Sequence, residues 1–323
     1  MTVTPLDFSG LATYSVHNRF SKVTVDDFAR PLSPGATIAD FLAALPKQFA
    51  GVDFPELIDR LAAAWRSGRP IIIGMGAHVI KVGLNPLLID LMERSLISGI
   101  AVNGAAIVHD TEIAMVGRTS EEVGQVLGSG AFGAARETGE EVNAAISNGA
   151  RDGLGLGQAM GRHLTERQFP YNHLSLIASA YRLGVPVTVH VAMGTDIVHI
   201  HPTADGAAIG LTSHYDFRLF AALISELEGG AYLNLGSAVL LPEVFLKALT
   251  VVRNLGHRVE NFTTANFDFI RHYRPITNVV ARPTAGGGKG FHFTGHHELM
   301  IPLLCAGLLE KLAEGRVLHD RGD

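Results

Sequence analysis

A short β-branched segment that ends in glycine and polar residues recurs along this chain, and it constrains the fold more than any other feature of the sequence. The clearest copy, from Gly184 to Pro202, reads GVPVTVHVAMGTDIVHIHP. Valine and threonine bounded by turn-forming residues are typical of a buried strand. Ligands of open α/β sheets bind beyond the carboxyl ends of the strands, so polar residues at these ends are candidate ligand contacts.

Helical patterns separate the copies of this segment. Strand, helix and strand over about 30 residues form a βαβ unit, which predicts a parallel sheet. We therefore expect a doubly wound α/β fold over residues 69–323, with a mostly parallel sheet and helices on both faces. Residues 1–68 are predicted to be an N-terminal arm followed by a helical extension. The other predicted strands are RPIIIGM from residue 69, Ile100 to Val102, AYLNLGSAV at 231–239 and TNVVARPTAGGGKG at 277–290.

Composition narrows the class of protein. The 323 residues include 47% hydrophobic and 18% charged residues, enough for a well-filled globular core. A net charge of −5 gives no electrostatic reason to expect nucleic acid or an anionic membrane as partner. The single cysteine, Cys305, excludes a disulfide framework, and no apolar run reaches the length of a membrane helix. We expect a cytoplasmic protein that acts on a small molecule.

Glycine follows most of the predicted strands. It lets the backbone approach a ligand and offer its N–H groups to phosphate, which favours nucleotide binding. The strict dinucleotide fingerprint is absent, because Gly74 and Gly76 are followed by Val79 at the third glycine position. The run GLGLGQAMG at 153–161 follows a helical pattern and is interpreted as a loop that begins a helix.

Histidines and one lysine are the other candidate chemical groups. His199 and His201 form a His-x-His pair and His296 lies in a second histidine cluster, but no cysteine or spaced carboxylate completes a metal site. We expect no metal. Lys289 is the only lysine in residues 248–310 and adjoins a run of three glycines. It is either a phosphate-binding or imine-forming amine, or an ordinary solvated loop lysine.

The order of these motifs resembles that of the deoxyhypusine synthase family. IIIGMGAHVIKVG is similar to the family's IFLGYTSNLISSG, and VNGAAIVHD to its TTAGGVEED. GVPVTVHVAMGTD is similar to its IPVFSPALTDG, so Asp196 matches the aspartate of the Thr-Asp pair. LNLGSAVLLPEV and FTGHHELMIPLL resemble the family's glycine loop and closing segment. The similarity spans about residues 69–310 and implies a Rossmann-like, NAD-binding fold.

The resemblance implies NAD-dependent transfer of an alkylamine group from a polyamine through an imine on a lysine, in a homo-oligomer that is expected to be a tetramer. Lys289 matches the family's lysine only across a gap, and histidines replace several of the family's carboxylates. A dehydrogenase or hydrolase that uses the histidines, and a non-catalytic nucleotide-binding protein, remain open as alternatives. The expected catalytic residues are Lys289, His201 and His296; the expected NAD contacts are Gly74, Gly76, His78, Asn103, Gly104, Asp196, Gly236, Ser237, Thr284 and Gly287; the expected substrate contacts are Asp110, His199 and Glu243.

Overall fold

The computed structural model describes residues Met1–His319 and contains one six-stranded sheet in which every pairing is parallel. The strand order is β3-β2-β1-β4-β5-β6, so the order reverses direction between β1 and β4. This is the strand order of dinucleotide-binding doubly wound sheets, and it confirms the predicted α/β fold. The strands are β1 (Ile71–Met75), β2 (Gly99–Asn103), β3 (Val187–His190), β4 (Ala231–Leu235), β5 (Thr263–Asp268) and β6 (Lys289–Thr294).

Helices cover both faces of the sheet, because alternate residues of the buried strands enter two separate apolar clusters. Ile71 and Ile73 face one cluster, which contains residues of α2, α4, α5, α8, α9 and α13; Ile72 faces the other, with residues of α10 and α11. None of the helices in residues 1–319 has both the length and the apolar character needed to cross a membrane. The helices are α1 (Ile38–Ala44), α2 (Ala50–Arg66), α3 (His78–Lys81), α4 (Asn85–Glu93), α5 (Gly104–Val116), α6 (Val123–Val126), α7 (Arg136–Arg151), α8 (Leu156–Arg167), α9 (Leu176–Leu183), α10 (Gly206–Ser225), α11 (Leu240–Asn254), α12 (Tyr273–Pro275) and α13 (His297–His319).

The predicted strand at 277–290 is wrong. Ile276–Ala281 forms a π-helix that continues α12, and the glycine run comes before β6, which begins only at Lys289. A strand that the sequence did not reveal, β5, reads TTANFD; its polar residues are buried, so it lacks the apolar run used to find the others. Helix α10 begins at Gly206, where the side chain of Asp205 accepts from the N–H groups of Ala207 and Ala208.

The first 35 residues form an extended arm with few contacts to the body. It contains two 3-10 turns, Val16–Asn18 and Val25–Asp27, and nearly all of its residues are exposed. The backbone of the arm joins the body near α1, where the Arg30 N–H donates to the carbonyl of Ala44 at 3.0 Å. In contrast, α2 packs into the main core, and the ring of Phe54 lies 5.3 Å from that of Phe293. The boundary at residue 68 stays a prediction.

Two fully buried aspartates hold the N-termini of two helices. Both oxygens of Asp110 accept hydrogen bonds, from the side chains of Asn85 and Ser175 and from the N–H groups of Leu176 and Ile177 at the start of α9. The first N–H groups of a helix have no carbonyl partner within it, and a carboxylate in this position accepts from them. Its negative charge also interacts favourably with the helix dipole. Burial raises the pKa of Asp110.

Asp216 on α10 plays the same role for α8, but through a single oxygen. Its Oδ2 accepts from the N–H of Gly157 at 2.8 Å and from that of Val189 at 2.7 Å. Its Oδ1 is buried without a hydrogen-bond partner. Burial raises the pKa of Asp216 from 3.8 to about 7.

We expect these two aspartates to respond oppositely to replacement by asparagine. The native state keeps the Asp216 proton to a higher pH than the unfolded chain does, so the free energy of unfolding falls as the pH rises from 3.8 towards about 7. Asp216→Asn removes this penalty and should stabilise the protein at pH 8 by about 2 kcal/mol.

Asp110→Asn is the matched control. Each oxygen of Asp110 accepts two hydrogen bonds, so the amide group would set its N–H groups against two donors and should destabilise the protein by about 2 to 3 kcal/mol at pH 5. Because the pKa of Asp110 is also raised, the loss should be smaller at pH 8. Urea unfolding at the two pH values measures both effects. Equal losses of stability in the two variants would contradict the distinction.

Candidate active site

The turns that follow β1 and β4 both begin with glycine, and they meet where the strand order reverses. This place is called the crossing point below. Gly76 follows β1 and donates its N–H to Leu235 at 3.0 Å; Gly236 follows β4, donates to Phe267 at 2.9 Å and has a φ of +69°. A Cβ on Gly76 would lie 2.8 Å from the carbonyl oxygen of Gly236. The two turns therefore come this close because Gly76 lacks a side chain.

His297, rather than the expected His296, lies at this crossing point. Its fully buried ring would lie 2.6 Å from a Cβ on Gly236, and its Nε2–H donates to the carbonyl of Phe267 at 3.0 Å. Its Nδ1 is therefore an acceptor, and it is buried without a partner. His78 lies on the other side, with its ring centre 5.5 Å from that of His297. Burial and the neighbouring His297 lower the pKa of His78.

The end of β2 meets the loop after β3 through a close contact between Gly104 and Asp196. Gly104 is the first residue of α5, which Asn103 caps by accepting from the N–H of Ala106 at 3.2 Å. A Cβ on Gly104 would lie 1.9 Å from Oδ2 of Asp196. That oxygen is buried without a hydrogen-bond partner, and the closest basic group is Nε2 of His199 at 3.8 Å. Burial raises the pKa of Asp196, and His199 opposes the rise.

A cavity of about 790 Å³ opens beside Asp196, between α5, α7 and the segment 117–135. Its walls are largely apolar, with contributions from Val108, Met115, Phe132 and Ile197. Four carboxylates and two cationic side chains also line it, so the cavity favours a ligand with positive charge and an apolar stem. These charged residues are Glu112, Glu121, Glu137, Asp196, Lys81 and Arg118.

One of these carboxylates, Glu112, is held in place by a directional hydrogen-bond network. Thr119 and Thr138 donate their hydroxyl protons to its two oxygens, at 2.5 and 3.0 Å. Because the proton of Thr119 is used, its oxygen accepts from Nδ1–H of His109 at 2.6 Å. His109 then carries the lone pair on Nε2, and burial lowers its pKa. This group was not predicted from the sequence, although the i, i+3 spacing of His109 and Glu112 places both on one face of α5.

Lys289 lies at the opposite edge of the sheet from these groups. It is the first residue of β6 and pairs with Thr263, the first residue of β5, so it lies five residue steps from Thr294 at the carboxyl end. At about 3.3 Å per residue that separation is about 17 Å. Its ammonium forms an ion pair with Glu56 of α2 and lies 5.0 Å from the ring centre of Phe291. Thr284 and Gly287, in the preceding loop, lie on this side too.

Other expected contacts are engaged within the protein. Glu243 on α11 pairs with Lys247 and accepts from Asn278, both at 2.7 Å; these contacts and Arg274 lower its pKa. Gly74 lies within β1, where a Cβ would be 1.9 Å from the hydroxyl of Tyr232, so its small size serves packing. Asp110 is the helix cap described above.

The expected histidine cluster does not assemble. His199 accepts at Nδ1 from the N–H of Gly194 at 3.1 Å, and the ring of His201 packs on Gly139 of α7; both follow β3. His296 follows β6, the strand at the other side of the sheet, and is exposed beside Glu298. In the described chain, no three His, Cys, Asp or Glu side chains are grouped to hold a metal ion.

Comparison with known proteins supports the fold and no more. No protein-family profile matches the chain, and no curated protein matches it. Among solved structures, unliganded AgrE is 14% identical with a TM-score of 0.52, over 80% of this chain and 33% of that one. A Methanococcus maripaludis S2 protein provisionally described as LOR/SDH is 14% identical, with a TM-score of 0.50, over 80% and 70%.

A protein from Entamoeba histolytica, provisionally described as a deoxyhypusine synthase, is 12% identical with a TM-score of 0.50, over 85% of this chain and 94% of that one. The chain spans about a third of the length of AgrE and of ArgZ, an arginine dihydrolase from cyanobacteria. The likeness to AgrE and to the Methanococcus and Entamoeba proteins supports a Rossmann-like α/β fold.

We expect Gly104→Ala to disturb the Asp196 contact. The added methyl group would overlap Oδ2 of Asp196 and force the carboxylate or the start of α5 to move, which should destabilise the protein by about 1 to 3 kcal/mol. Gly206→Ala is the matched control, because Gly206 also begins a helix but has no atom within 4 Å of its Cβ position. It should be neutral or slightly stabilising. Denaturant unfolding compares the stabilities of the two variants. Similar free energies of unfolding would contradict the close contact between Gly104 and Asp196.

Proposed function

We propose that this chain is an NAD-dependent enzyme that removes hydride from the carbon beside the nitrogen of a polyamine or related small amine. The observation that carries the proposal is the position of Asp196, which both contacts the carboxyl end of β2 and lines the cavity with Glu112. A cofactor at the reversal of strand order and an amine in the cavity would therefore be neighbours.

The residues at the crossing point fit a dinucleotide. Gly76 and Gly236 leave backbone at the carboxyl edge without side chains of their own. Ser237, Asn103 and His78 complete the expected contacts on this edge. AgrE, which shares the fold, has also been solved with ornithine and NAD+. NAD, when bound, would supply the hydride acceptor.

The cavity fits an amine. Glu112 lies 18% exposed with its oxygens oriented by two threonine hydroxyls, and Asp196 keeps a free acceptor oxygen. A carboxylate held in this way would bind an ammonium group strongly, because little further ordering is needed. His109, neutral and with a free Nε2, would accept the proton that the amine must lose before hydride leaves its carbon.

Two reactions begin with this step. In the transferase of the deoxyhypusine synthase type, a lysine would capture the imine carbon and the rest of the donor would leave as a free amine. The acceptor amine would then displace the lysine, and the hydride would return to the carbon. In a dehydrogenase, the imine is released or hydrolysed. The position of Lys289 at the amino edge, paired with Glu56, favours the dehydrogenase as the second candidate. Full turnover by Lys289→Ala would favour it further, whereas a borohydride-trapped adduct on Lys289 would support transfer.

We also propose a homo-oligomer, most simply a tetramer. The exposed arm carries large apolar side chains, including those of Phe8, Leu11, Phe20 and Phe28, which a second copy of the chain would cover. Sedimentation as a monomer at micromolar concentration would contradict this assembly.

We expect NAD to raise the melting temperature of the protein, since a ligand selective for the native state stabilises it. His78→Ala should weaken the affinity for NAD about 10-fold, because the ring borders the crossing point of the two turns. The exposed His257, in the α11–β5 connection, provides the control His257→Ala with unchanged affinity. Isothermal titration calorimetry measures the affinity for NAD of the parent protein and of both variants. No binding at millimolar NAD would argue against the cofactor.

We expect Glu112→Gln to raise KM for the amine about 10-fold or more, because it removes the charge that pairs with the ammonium group. The affinity for NAD should stay unchanged. Reduction of NAD to NADH in the presence of spermidine, putrescine or agmatine measures this effect. Glu166→Gln, on the exposed face of α8, is the control. Turnover of a neutral alcohol in preference to every amine would contradict the proposed substrate class.

A further inference from the structure

A row of polar side chains crosses three neighbouring strands and ends at the turn after β4. Asn234, Asn266 and His292 are register partners on β4, β5 and β6, so their side chains share one face of the sheet. Both asparagines are fully buried, and His292 is partly exposed at the outer strand.

Hydrogen bonds connect the row, and the identity of donor and acceptor at each contact is fixed from one end. Asn234 Nδ2 donates to the carbonyl oxygen of Ser237 at 2.9 Å and to Oδ1 of Asn266 at 2.6 Å. Asn266 Nδ2 lies 3.0 Å from Nδ1 of His292, and His292 Nε2 lies 3.1 Å from Oγ1 of Thr294. A backbone carbonyl can only accept, so the Ser237 end fixes the orientation of Asn234, which in turn fixes that of Asn266.

This orientation of the two asparagine amides requires a neutral His292 with its proton on Nε2. Asn266 presents its N–H to His292, so Nδ1 must carry a lone pair. A proton on Nδ1 would set two donors against each other at 3.0 Å. Turning the amide of Asn266 would move the conflict to Asn234, and turning Asn234 would set its oxygen against the Ser237 carbonyl. No orientation of the two amides therefore allows a proton on Nδ1 of His292 and also keeps the hydrogen bond from Asn234 to the carbonyl of Ser237.

We propose that His292 is a positioning residue: when neutral it holds the β4–α11 turn, residues 236–239, through the two asparagines, and when protonated it releases the turn. The turn contains Gly236 and Ser237, so a ligand bound there would lose affinity as the pH falls. The proposal concerns the turn itself; only its effect on NAD rests on the proposed function.

The surroundings of His292 favour the neutral form. Burial and the positive charge of Arg271 lower its pKa, and the carboxylate of Asp268 opposes them in part. The folded protein therefore binds this proton less readily than the unfolded chain, and the contribution of His292 to stability is lost as the pH falls below the ordinary histidine value of 6.5.

Hydrogen exchange of the full chain, followed by mass spectrometry from pH 8 to pH 5 and corrected for intrinsic rates, tests the proposal. The informative amide is that of Leu241, which donates to Oγ of Ser237 at 3.1 Å. In the parent protein its exchange should rise about 10-fold at pH 5, the change expected for loss of one internal hydrogen bond.

Two variants should abolish this rise in different ways. His292→Asn keeps an accepting oxygen near the place of Nδ1 but cannot be protonated in this range. Asn266→Asp accepts from Asn234 and from a protonated His292 alike, so protection persists at pH 5. His257→Asn, away from the row, should behave as the parent.

A parent without pH-dependent exchange at the turn, or a His292→Asn variant that retains it, would overturn the proposal. Calorimetry with NAD at both pH values separates it from the proposed function. Exchange that follows His292 without any binding of NAD would reject the cofactor and leave the role of His292 intact.

Discussion

Parallel pairing of β1 with both β2 and β4 is the constraint on which the site depends. Because all six strands point the same way, every strand delivers its carboxyl end to one edge, and the chain must leave β1 and β4 in opposite directions. The turns after β1 and β4 lie in contact there because Gly76 lacks a side chain, and His297 packs against Gly236. Helices that cross back over the sheet then place α5 and α7 around the cavity.

The sequence predicts those parts of the fold that depend on continuous apolar runs. β1 and β4 are short, buried and bounded by glycine, and their local composition suffices to identify them. The same rule fails for β5, which buries polar residues; among them, Asn266 is hydrogen-bonded by side chains of both neighbouring strands. It also places the glycine run 286–288 at the wrong end of a strand, since glycine marks a turn without showing on which side the strand lies.

For the site, the sequence identifies single residues better than their combinations. Asp196 and Gly104 are both found from the strand ends, but their contact depends on how the β3 loop folds back over α5. The group around Glu112 was missed because Thr119 and Thr138 reach it from outside α5, through the segment 117–135 and α7. For Lys289, the glycine run did not show which end of the strand it occupies. The structure places it at the start of β6, paired with Glu56, and its catalytic role stays a prediction.

The contact between Gly104 and Asp196 also limits how this sequence can diverge. A side chain at 104 fits only if the residue at 196 is shortened or its loop is moved, so the two positions are expected to change together among related chains. Lineages that keep glycine at 104 retain space for a carboxylate at 196, whereas those that gain a side chain there give up that charge. The pair would thus serve as a marker that separates relatives with an acidic pocket from those with a neutral one.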